Sequence, residues 1–170
     1  PYPTLFRSVD KNWTGFIVTH ILRVLSTRNK DLDLKIIPAN RSQRKGDPND
    51  KNNYLILRKK NSQVVRNDYK TFDKYGKKKN VLTSVKLNRA IRELIAERDL
   101  ELGKDDIRLL STIGGKKMGE DSIAKKIRNF TFRGLSESDY NKIFVSQFAE
   151  VKDLKKLETI SNHLGQYPQT

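Results

Sequence analysis

Hydrophobic positions recur along this chain with two different periods, in separate blocks. From Trp13 to Ser26, Ile17, Ile21, Val24 and Leu25 fall at i, i+4, i+7 and i+8, which predicts an amphipathic helix. Pro1 to Asp10 has two prolines and no period, and reads as an irregular lead-in. After the polar turn Ser26–Asp31, a run from Leu32 to Pro38 gives way to residues 39–52, where Ala39 is the only apolar side chain. With Gly46-Asp47-Pro48 in its middle, the 41–52 stretch is expected to be a mobile basic loop. From Asn53 to Ser84 the period changes to two. Tyr54–Leu57 predicts one strand, Lys60–Ser62 a turn, Gln63-Val64-Val65 through Tyr69 the returning strand, and Asn80–Thr83 a third.

The helical period then returns. Val85 to Glu97 carries Leu87, Ala90, Ile91, Leu94 and Ile95 on one face, and Gly103 follows as a stop. Ile107–Leu110 is a short apolar piece. Gly114-Gly115-Lys116-Lys117 lacks a GxxxxGK[ST] frame and reads as a plain turn. A helix near Asp121-Ser122 carries Ile123, Ile127 and Phe130. Another starts at Ser136 with Asp139 as an approximate capping box and Tyr140, Phe144, Phe148 and Val151 on its apolar face. A last helix, Leu154 to Leu164, stops at Gly165 with Pro168 beyond. The expected fold is mainly α with a small three-stranded antiparallel sheet, in one domain spanning 1–170.

Composition adds a partner class. The chain has 35 Lys+Arg against 20 Asp+Glu, a net charge of +15. Residues 41–80 hold 13 Lys+Arg and 4 Asp, so +9 of that excess falls in 40 residues. A cluster of this kind favours an anionic contact face, nucleic acid first and an anionic membrane surface second. Arg41, Arg44, Lys45, Arg58, Lys59, Lys60, Arg66, Lys74, Lys77, Lys78 and Lys79 are the candidate DNA contacts, with ordinary solvated lysines as the bland alternative. No stretch reaches the roughly 18 consecutive apolar residues of a spanning helix, and no signal-peptide pattern opens the chain. With no cysteine and only His20 and His163, no metal site or other cofactor is expected. The expected location is intracellular and nucleic-acid associated: nucleus, nucleoid or virion.

Four stretches resemble one family. Ser26-Thr27-Arg28-Asn29-Lys30-Asp31-Leu32-Asp33-Leu34, after a helix, resembles the TGLR-x-x-E-L box of tyrosine recombinases (phage-type integrases). Arg28 matches the family arginine that holds the scissile phosphate, and Asp31 stands at its acidic position. Asp68-Tyr69-Lys70-Thr71 resembles the SKTGK hairpin, with Lys70 matching the lysine that protonates the leaving hydroxyl. Residues 136–146 align with TPHDLRHTFAT, but Ser138 stands in the histidine's place and Asn141 in the second arginine's. Residues 157–166 resemble the run ending in LGH, with Gln166 replacing its histidine. The family's nucleophilic tyrosine would lie beyond Thr170, and Tyr167 is too close to serve.

The resemblance implies a recombinase-type catalytic domain that is degenerate as this chain. Strand cleavage needs cations fixed around a pentavalent phosphorus, and losing one costs about 100-fold or more in rate. The implied function is therefore binding of double-stranded DNA in packaging, architecture or scaffolding. Arg28 and Lys70 would meet in one cleft lined by Ser138, Asn141 and Gln166. Two alternatives stay open: an active integrase with its tyrosine beyond residue 170, and a basic virion-type structural protein engaging itself or other nucleoprotein components. RNA binding is weaker, because no aromatic stacking pattern accompanies the charge. No membrane or small-molecule partner is expected. Bland roles remain for Arg28, as a cation at a helix C-terminus, and for Lys70, as a solvated lysine.

Overall fold

The computed structural model describes residues 3–25, 27–40, 50–69, 72–112, 115–131 and 134–146, with side chains described in these except at 3–12, 74, 75, 144 and 145. Five strands form one mixed sheet: β1 (Leu34–Pro38), β2 (Asn53–Leu57), β3 (Ser62–Arg66), β4 (Lys78–Leu82) and β5 (Ile107–Arg108), ordered β4-β3-β2-β1-β5. The helices are α1 (Pro3–Leu25), the single turn α2 (Phe72–Tyr75), α3 (Val85–Glu97), α4 (Glu120–Phe130) and α5 (Glu137–Ser146).

The expected fold class is overturned. The three strands read from Asn53–Ser84 exist and pair antiparallel, but they are part of a five-stranded sheet in which β1 runs parallel to β2 and β5 antiparallel to β1. A recombinase-type domain with a small antiparallel sheet is therefore not the architecture. The strand reading missed β1 although Leu34, Lys35 and Ile36 alternate, because its partner β2 lies beyond the 39–52 connection rather than across a tight turn. At two residues, β5 is too short to carry a period.

The opening is also helical from Pro3, where an irregular lead-in was expected. Proline lacks only an N–H that the first helical turn cannot use, so it starts a helix as readily as it ends one. The last expected helix, the loop at 41–49 and Lys70 lie outside the described residues.

Strand register explains where the core sits. Leu34, Ile36, Leu55, Leu57, Val64, Leu82 and Ile107 occupy one face of the sheet and join a single buried cluster with Ile17, Ile21 and Leu22 of α1, Leu87, Ile91 and Leu94 of α3, and Ile123 and Ile127 of α4. Helix α1 packs against both α3 and α4. At Gly15 a Cβ would stand 3.3 Å from the Phe130 ring, so the missing side chain permits the close α1–α4 approach.

Polar side chains fasten the edges of this core. Arg98, just past α3, donates to the carbonyls of Arg108 (2.6 Å) and Leu109 (3.4 Å) and to Thr14 Oγ1 (3.2 Å), tying α3, β5 and α1 together. Among the described residues no helix is long and apolar enough to cross a membrane.

Candidate nucleic-acid interface

The turn after α1 is shaped by its own backbone. Asp31 N–H donates to Arg28 O (3.0 Å) and Leu32 N–H to Asn29 O (3.1 Å), closing a 3₁₀ turn. This turn buries the Asp31 carboxyl and leaves Arg28 half-buried. Asp31 Oδ2 accepts from the backbone N–H of Arg28 and from Arg66 Nη1, each at 3.4 Å. Burial pushes the Asp31 carboxyl up, against the opposing pull of Arg66.

Arg66 ends β3 on the core face of the sheet and is only 1% exposed. Besides Asp31, it donates to Asn80 Oδ1 (3.1 Å), and its guanidinium lies 5.6 Å from the centre of the Tyr69 ring. Lys78, directly opposite Arg66 in the register, holds its ammonium 5.4 Å from the same ring. Two like charges thus face each other across β3–β4, an unfavourable pairing. Burial first, and then the Arg66 charge, push the Lys78 ammonium down to about 8.

The exit from β3 is pinned from β2. Asn53 Oδ1 accepts from the backbone N–H groups of Asn67 (2.8 Å) and Asp68 (2.9 Å), and its amide donates back to Asp68 O (3.0 Å). Asp68 in turn binds Lys30 at 2.9 Å. Helix α5 closes the same region: Asn29 N–H donates to Glu137 Oε2 at 3.0 Å, and burial raises the Glu137 carboxyl. The α5 start is a reciprocal cap, in which Ser136 N–H and Oγ donate to Asp139 (2.9 and 2.6 Å) and Asp139 N–H returns to Ser136 Oγ (3.3 Å).

The expected cleft between Arg28 and Lys70 falls partly outside the described residues. The Arg28 turn, the β3 exit and the α5 start converge, through Asp31–Arg66 and Asn29–Glu137. Ser138, beside Glu137, is exposed, and Asn141, one turn further on, is half-buried. Lys70 and Gln166 lie outside the described residues, as do Arg41, Arg44 and Lys45, and the side chain of Lys74 is likewise not described. Arg66 is a correction to the list of DNA contacts: buried against Asp31 and Asn80, it offers no surface to a partner. Among the described residues no group of three or more His, Cys, Asp or Glu is placed to hold a metal ion.

Lys78 is half-buried opposite Arg66, and the other described candidates are exposed in two groups. Arg58, Lys59 and Lys60 form the exposed β2–β3 turn, while Lys77 and Lys79 are exposed on and beside the edge strand β4. The turn is latched to α3 by residues that the sequence reading did not single out. Asn88 Nδ2 donates to Arg58 O (3.2 Å) and Asn61 O (2.8 Å), and Arg92 Nη2 donates to Arg58 O (3.1 Å). A signal was present: Asn88 is a polar residue on the buried side of a helix whose other inward positions are apolar.

Lys78 has a consequence for stability. Its folded pKa, about 8, lies below the ordinary 10.5, so between those values the unfolded chain binds more protons than the folded one. Stability from this group therefore rises as pH passes from about 8 towards 10.5. In urea unfolding at pH 7.5, 8.5 and 9.5, the wild type is expected to gain stability relative to Lys78→Gln across the series. A constant difference between the two proteins would refute this.

No protein-family model, curated protein or solved structure matches this chain.

Proposed function

We propose that this chain binds the phosphate backbone of double-stranded DNA, without reading sequence, through the edge of its sheet. The observation that carries the reading is an imbalance at that edge. Among the described residues, Lys59, Lys60, Lys77 and Lys79 have no carboxylate within ion-pair distance, whereas Asp31 is paired with Arg66 and Asp68 with Lys30. Exposed cations without an ion-pair partner, beside acids that other cations already hold, favour a polyanion.

The two groups sit at opposite ends of β3, a five-residue strand, so roughly 15 Å separates them. That span is comparable with the major groove of B-DNA, about 12 Å wide. It suits the two phosphate rows that flank a duplex groove better than one flexible single strand. Edge lysines also discourage strand-on-strand association, which weighs against self-assembly through β4.

The test is binding to two unrelated duplexes of equal length at several salt concentrations. Affinity is expected to fall steeply and equally for both as salt rises. Absence of binding at low salt, or a flat response, would contradict the proposal.

A further inference from the structure

The outer surface of α3 continues the basic β2–β3 turn. On a helix Val85, Arg89, Arg92 and Ala96 share one stripe, and this stripe adjoins Asn88, whose amide grips the turn. Arg89 is 80% exposed, with Glu93 at 3.5 Å. Arg92 uses Nε on Asn88 Oδ1 (3.2 Å) and Nη2 on Arg58 O (3.1 Å), so its charge is fixed beside the turn. Arg58 is itself steadied by donating to Gln63 Oε1 at 3.0 Å. The inward carbonyls of the turn are thereby occupied, and Arg58, Lys59 and Lys60 project away from the core.

We propose that the turn and this stripe form one preformed phosphate-contact surface. Arg58, Lys59, Lys60 and Arg89 take phosphates of a DNA strand, while Asn88 and Arg92 hold the turn in the contact geometry. The inference rests on the duplex-binding reading above and adds α3 to it. Its advantage is pre-organisation: the turn is ordered by folding rather than by the ligand, so less binding free energy is lost to ordering. Arg89 and Arg92 lie outside the 41–80 cluster, so local charge density alone would not place them at the interface.

The experiment compares Arg89→Gln, Lys59→Gln and, as a control of equal charge, Lys125→Gln on the exposed side of α4, each measured on one duplex across salt. Losing one phosphate contact lowers the salt slope by about 0.9, or affinity by about eightfold near 0.1 M salt. Arg89→Gln and Lys59→Gln are each expected to show that loss, with Lys125→Gln within about twofold of wild type. Arg89→Gln behaving like the control would overturn the proposal. Failure of the wild type to bind would instead remove the duplex-binding reading beneath it. For the latch, Asn88→Ala with wild-type circular dichroism is expected to lose affinity while keeping the wild-type slope. Unchanged affinity would remove the latch from the proposal.

Discussion

Arg66→Met is expected to destabilise the protein by about 3–5 kcal/mol, the usual cost of removing one partner from a buried ion pair. The pair is dry: the Arg66 and Asp31 side chains are 1% and 5% exposed. Truncation strands the Asp31 carboxylate in a site whose burial already disfavours ionisation, and it removes the donor to Asn80 Oδ1. Because the Asp31 carboxyl is already raised, protonation offers a way out. The deficit should therefore shrink as pH falls. The paired replacement Asp31→Leu/Arg66→Met removes both charges, and is expected to recover much of the loss, since apolar groups of similar volume often substitute for buried pairs at little cost. Urea unfolding of the two singles and the double measures this cycle. A cost below about 1 kcal/mol for Arg66→Met would show that the pair is solvated.

The second large effect concerns binding. Replacing Lys59, Lys60, Lys77 and Lys79 together with glutamine is expected to weaken duplex affinity by about 4,000-fold near 0.1 M salt, at about eightfold for each phosphate contact. The salt slope should flatten by about 3.6 over the same four contacts. All four side chains are exposed, and none makes an ion pair with a described carboxylate, so the fold should tolerate the change. Wild-type unfolding with weakened binding locates the interface. Unchanged affinity would mean that the basic edge is only a solubilising surface.

How much of this was legible in the sequence depends on the range of the interaction. The β2, β3 and β4 strands and the 13-residue α3 could be read because alternation and the 3.6 period are local, and because Ser84 caps α3 through Leu87 N–H at 3.2 Å. Helix α5 announced itself through Ser136 and Asp139 for the same reason. Strand β1 could not be read this way, since its partner in the parallel ladder lies across a 14-residue connection. Charge counting gathered Arg66 with the solvated cations, although its contacts with Asp31, 35 residues away, and with Asn80 hold it in the interior. The Arg28 turn was singled out by its resemblance to a recombinase box. Its contacts with Arg66 and Glu137 are real, but the five-stranded mixed sheet around them belongs to a different architecture from the one expected. Asn88 and Arg92 were passed over because a latch on a turn has no signature until the helix and turn are placed side by side.

Mapping backbone amide shifts by NMR while titrating a short duplex tests the central claim most directly, because it asks where DNA sits rather than whether charge attracts it. The expected result is a contiguous set of perturbed amides at Arg58–Asn61 and Lys77–Lys79, extending to Arg89 and Arg92 on α3 and leaving α4 unchanged. Perturbations centred on α4, or scattered evenly over the surface, would contradict binding through the sheet edge.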